Sequence, residues 1–145
     1  MDSLLRRRTL LHAGFAGGLS LALPRAARAC EFFTTTLRVT HPWTRATAAG
    51  ERTAVVCMVF DQVSAPDRLI GIQTPVATRA ELAGRAVNLA IRPGRTTTLG
   101  ETGAVLRLVG LTQPLEIGRT YPLQLRFERG GVVNADLSVD YESAG

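Results

Sequence analysis

The chain has 145 residues, 46% apolar and 20% charged, and a formal net charge of +5. That length fits one domain plus a short processed segment. The charge belongs to the segment: Arg6, Arg7, Arg8, Arg25 and Arg28 stand against Asp2 alone, which leaves 12 basic and 11 acidic residues in the remainder. Those basic residues are all arginine and scattered singly, without aromatic interleaving, so a nucleic-acid surface is not expected.

Residues 1–29 read as a cleaved export leader. Arg6-Arg7-Arg8-Thr9-Leu10-Leu11 resembles a twin-arginine signal, with an ordinary secretory signal as the alternative. The apolar run from Leu10 to Leu23 is diluted by Gly14, Gly17 and Gly18, and is shorter than the roughly 20 residues needed to cross a bilayer. Ala27-Arg28-Ala29 offers a cleavage site. The expectation is a periplasmic domain, residues 30–145, with no stable membrane insertion after cleavage. Cys30 directly after Ala29 suggests a lipoprotein, but Arg28 sits badly in a lipobox.

Beyond the leader stand two cysteines, Cys30 and Cys57, one histidine, His41, and one methionine, Met58. In an oxidising compartment a Cys30–Cys57 disulfide is the leading expectation. It would close a loop of about 27 residues and stabilise by roughly 3–4 kcal/mol. A free buried Cys57, or a thiolate metal pair, are the other readings. His41 reads as a hydrogen-bonded structural group or, with Cys30 and Cys57, as part of a metal site. Cys57 and Met58 are adjacent, so a strand sends them to opposite faces.

In chain order, Glu31 to Thr36 reads as an arm that Phe32 and Phe33 anchor, and Leu37 to Thr40 as a strand. Pro42 should end ladder pairing. Trp43 is expected to plug one end of the fold, and Arg45 to satisfy carbonyls or an acid. Thr53 to Phe60 is apolar almost throughout, as in a central strand covered on both faces. Strands are expected from Arg68 to before Pro75 and over Ala80 to Ala83. In Gly103 to Leu115, Val105, Arg107 and Val109 share one strand face and Leu106 and Leu108 the other; Gly110 marks a bulge or bend and Pro114 closes the strand. Tyr121 to Arg129 alternates strictly, Gly130-Gly131 makes a hairpin turn, and Val133, Ala135, Leu137, Val139 and Tyr141 line the inner face of the return strand. No segment keeps a helical period. About eight short strands indicate an all-β, antiparallel Greek-key sandwich. No nucleophile–base pair or phosphate-cradling loop is present, so no enzyme is expected.

Two stretches carry a family resemblance: Pro42-Trp43-x-Arg45-Ala46-Thr47, and the strand ending in Gly110-Leu111-x-x-Pro114-Leu115. Both resemble the periplasmic copper chaperones called PCu(A)C, a cupredoxin-like β-sandwich family. Asp67-Arg68-Leu69, Thr74-Pro75-Val76-Ala77 and Ile91-Arg92-Pro93-Gly94 add to the likeness, which runs from about Leu37 to Val139. The resemblance implies a domain that passes Cu(I) to a periplasmic or membrane-bound protein of a respiratory-oxidase copper pathway; a monomer is expected. The family's first histidine ligand falls on Ala83 and its His-x-Met pair on Val105 and Arg107. The segment bearing its other methionine is shortened here, and Gly84 to Arg95 holds no His, Met or Cys. Soft Cu(I) wants thioether, thiolate or imidazole. A copper-chaperone-like protein with a degenerate site and no cofactor is therefore expected; the alternatives are a partner-binding β-sandwich presenting Arg107, or metal held by Cys30, Cys57 and His41.

Overall fold

The computed structural model describes residues 30–143. The expected leader, with its arginine motif and cleavage site, lies outside the described residues. Ten strands follow in order: β1 (Glu31–Phe33), β2 (Arg38–Arg45), β3 (Thr53–Asp61), β4 (Asp67–Gln73), β5 (Ala77–Leu82), β6 (Leu89–Ile91), β7 (Thr97–Leu99), β8 (Leu106–Leu111), β9 (Thr120–Phe127) and β10 (Gly131–Tyr141). The all-β expectation holds. The strands that the alternation did not single out are the arm itself, β1, and β6 and β7, each of three residues and too short to show a period of two.

The sheet runs β5-β8-β3-β2-β10-β9-β4-β6, with β1 added to β2 and β7 to β3. Along one edge of β3, β8 takes Thr53 to Val56 and β7 takes Met58 to Phe60. Along one edge of β2, β1 takes Arg38 to Thr40 and β10 takes Trp43 to Arg45. The two long strands thus pass from one layer to the other and fold the sheet over its own core. Pairing is not purely antiparallel, because β2 and β10 run parallel. Val39, Val56, Phe60, Leu106, Leu108, Leu125 and Leu137 are at 0% exposure, so the apolar faces read from the alternation meet in one core. Phe60 meets Phe127 edge-on at 5.9 Å between ring centroids and ties the layers together.

β2 departs from simple alternation. It continues through Pro42, but its pairing with β3 shifts between Thr40 and Trp43, and His41 takes a positive φ of 49°. The extra residue reverses the parity of the strand: Val39 faces the core, then Pro42 and Thr44 do. Trp43 and Arg45 are turned outward. Trp43 is therefore not an end plug but a half-buried residue on the outer face, set edge-on against Tyr141 at 4.7 Å. A second shift, between Val139 and Tyr141, takes Tyr141 off the inner face and leaves it 50% exposed.

Asp67 is the buried polar centre of the fold, at 6% exposure. Its carboxylate accepts the Thr36 hydroxyl at 2.7 Å and the main-chain N–H groups of Arg68 at 2.8 Å, Arg129 at 2.8 Å and Gly130 at 2.9 Å. One side chain thereby fastens the β1–β2 turn and the β9–β10 turn to the start of β4.

The expected Cys30–Cys57 disulfide is not formed; both cysteines are free. β1 and β3 pair with the same residues of β2, Arg38 to Thr40, and so lie on its opposite edges. Two strand spacings of about 4.8 Å separate them, more than the roughly 7 Å between Cα atoms that a disulfide tolerates. The two phenylalanines of β1 point to opposite sides. Phe32 packs on the core, whereas Phe33 is 62% exposed.

Candidate functional site

The outer face of β5, β8 and β3 holds the three positions singled out in the sequence. Ala83 follows β5 with a positive φ of 52°, and its N–H donates to the Val105 carbonyl at 3.0 Å, so the two positions are adjacent. Two residues on, Arg107 stands in register with Glu81 on one side and Val55 on the other. Leu106 and Leu108 are buried, while Arg107 is exposed and Val105 and Val109 are partly so. Arg79 lies on the same face, its Nε 3.0 Å from Glu81. The fold brings the three positions together, but their side chains are a methyl, an isopropyl and a guanidinium. A guanidinium has N–H donors only and no lone pair for a metal. The donor set does not fit Cu(I).

The relocated set is not assembled. The Cys30 carbonyl accepts the His41 N–H at 2.7 Å, but the His41 imidazole Nε2 is turned to Asp140 at 2.8 Å. Cys57 lies across β2, opposite Trp43. Among the described residues no three His, Cys, Asp or Glu side chains stand where they could share a metal ion.

Cys57 is 3% exposed, yet it faces outward from β3, on the opposite face from Val56 and Met58. Its neighbours are those the β2 bulge turned outward. Arg45 makes a two-pronged pair with Glu101, at 2.7 and 3.2 Å, donates to the Glu142 carbonyl at 3.3 Å, and lies 5.5 Å from the Tyr141 ring centroid. Burial pushes the Cys57 thiol up to about 11; the Glu101 charge adds to this and Arg45 opposes it. A thiol so held is almost wholly protonated near neutral pH and a poor nucleophile. Folded protein is expected to consume thiol reagent at Cys30 only, with Cys57 reacting after denaturation. Equal rates for both in the native state would contradict this environment, and a mass two hydrogens lower would reveal a bridge.

Sequence reasoning missed Glu101, the partner of Arg45, which sits in an irregular stretch 56 residues away. It also missed Glu81 opposite Arg107. Alternation assigned Arg107 its face but could not supply the neighbouring strand.

Solved structures of the same architecture include "Apo PCuAC domain from PmoF1", at 28% identity and a TM-score of 0.71 over 77% of this chain and 98% of that one. The "Copper-bound PCuAC domain from PmoF2" matches at 27% identity and 0.71, over 77% and 97%. "Solution structure of CuI-DR1885 from Deinococcus Radiodurans" matches at 25% identity and 0.58, over 69% and 75%. No curated protein matches the chain. The matches define a PCuAC-type β-sandwich as the class of protein. Residues 37–139 match the family described as "Putative lipoprotein LpqE-like", and the chain belongs to that LpqE-like family.

Proposed function

We propose that this is an exported, copper-chaperone-like domain whose family site no longer holds Cu(I), and that it serves as an accessory in copper delivery to a respiratory oxidase through contact with a periplasmic or membrane-bound partner. Export rests on the leader, cut after Ala29, so that the working chain is a single domain beginning at Cys30. The observation that carries the reading is the meeting of Ala83, Val105 and Arg107 on one face with no soft donor among them. Titration with Cu(I) against a competing chelator tests it. The wild-type chain is expected to leave the chelator loaded, and Ala83→His, Val105→His and Arg107→Met together to compete for the metal. Tight binding by the wild type that survives Cys30→Ser and Cys57→Ser would overturn the degenerate-site reading.

A second reading is favoured by Arg107 itself. An exposed guanidinium on a sheet face, facing Glu81, suits recognition of a protein partner rather than carriage of an ion. Loss of a captured periplasmic partner on Arg107→Glu, without loss of stability, would support it.

A further inference from the structure

Among the described residues β5 has β8 as its only strand partner and forms one edge of the sandwich. Leu82 exchanges hydrogen bonds with Arg85, at 2.8 and 3.0 Å, on the side away from β8, whereas the N–H of Ala83 points to β8. Main-chain direction alternates along a strand. The N–H and C=O groups of Ala80 and Thr78 therefore lie on the same outer edge as those of Leu82. The Leu82 groups are taken by Arg85; those of Ala80 and Thr78 face outward.

Beside this edge opens a cleft of about 500 Å³, a size in the range of ligand-binding clefts. Core residues reach its floor: Ile72, Leu108, Leu123 and Ala135, all between 0% and 6% exposed. Gln124 and Asn134 stand on its rim, bonded side chain to side chain at 3.3 Å. Among the described residues of the lining Arg79 is the one charged side chain.

We infer that the β5 edge binds an extended segment of a partner protein with the pattern apolar–acidic–apolar. An added strand would hydrogen-bond to the main chain of Thr78 and Ala80 and extend the sheet. Its residues opposite Thr78 and Ala80 would hang over the apolar floor. The residue between them would lie on the outer face against Arg79, whose guanidinium has five N–H donors and spends Nε on Glu81. Among the described residues the cleft lining holds no carboxylate, and the one beside Arg79 on the outer face, Glu81, is already paired with its Nε and leaves the terminal N–H donors to the incoming acid. A second copy of this chain fits poorly. Centred on Arg79, two β5 edges would set arginine against arginine; centred on Ala80, only the Ala80 pair could bond, because Arg85 holds Leu82. Strand addition at this edge involves no metal, and a Cu(I) titration does not report on it.

The test is a titration of the isotope-labelled full chain with the peptide Ac-Thr-Val-Asp-Val-Thr-NH2, followed by NMR. The amides of Thr78 and Ala80 should shift saturably and gain exchange protection. Methylating the two valine nitrogens should abolish binding while leaving every side chain in place. Arg79→Glu should weaken binding by about fivefold and favour the peptide with lysine in place of aspartate by a similar factor. No shift at Thr78 and Ala80 would overturn the proposal. So would equal binding of the N-methylated peptide, which would mark an apolar cleft alone, or protection of these amides by self-association without peptide.

Discussion

Replacing Asp67 with alanine is expected to destabilise the domain by about 3–5 kcal/mol, read as a fall in the urea midpoint with unchanged slope. The side chain is buried and fully engaged: three main-chain N–H groups and the Thr36 hydroxyl converge on it. Its removal orphans those donors in two turns at once, at roughly 1–3 kcal/mol for each one left without water. Against a total stability of about 5–15 kcal/mol for a domain of this kind, the variant should be partly unfolded at physiological temperature. Asp67→Asn keeps the shape but loses one acceptor face and the charge, and should fall between the two. Thr36→Ala, which removes one donor, should cost about 1 kcal/mol.

The same contacts give the effect a pH signature. Burial pushes the Asp67 carboxyl upward, but the Thr36 hydroxyl and the N–H groups of Arg129, Arg68 and Gly130 together outweigh it, so the group ionises below the ordinary carboxylate value of 3.8. A depressed folded-state pKa contributes stability above the unfolded value and loses it as pH falls through the folded one. The gap between wild type and Asp67→Asn should therefore be full near neutrality and narrow once the pH drops below the ordinary value. A gap constant from neutral to strongly acid pH would show that the charge has no part in it.

Gly110→Ala is expected to cost about 2–4 kcal/mol, from two separable sources. Gly110 has φ of +75°, and its N–H and that of Leu111 both donate to the Arg52 carbonyl, at 2.9 and 3.0 Å. This is the bulge that turns the end of β8. A Cβ here would run into Thr78 Oγ1, which donates to the Val109 carbonyl at 2.9 Å. Adding Thr78→Ala removes Oγ1 and the methyl, leaves only a tight Cβ contact at 3.1 Å, and should relieve most of the collision while keeping the backbone strain, about 1–2 kcal/mol. A double-mutant cycle by thermal denaturation measures the coupling. Strict additivity would mean that the two residues do not collide.

The sequence by itself determined the class of fold and most of its faces. Leu106 and Leu108 against Val105, Arg107 and Val109, and Tyr121, Leu123, Leu125 and Phe127 against Gln124 and Arg126, follow from a period of two that each strand carries locally. The bulge at Gly110 was legible because glycine is the residue that takes a positive φ without cost. So was the absence of soft donors at Ala83, Val105 and Arg107, since residue identity alone fixes it. The tertiary structure decided the rest. One inserted residue at His41, which takes a positive φ without being glycine, reversed the parity of β2 and set Trp43 and Arg45 over Cys57. Strand order put β2 between Cys30 and Cys57 and left their thiols apart. The Asp67 hub joins residues 31, 62 and 63 positions away, and the β5 cleft is lined from β4, β5, β8, β9 and β10. Alternation is a property of one strand and survives any arrangement of the others. Parity after a bulge, the neighbour across a ladder, and the groups that converge on a buried carboxylate exist only once the strands have been placed.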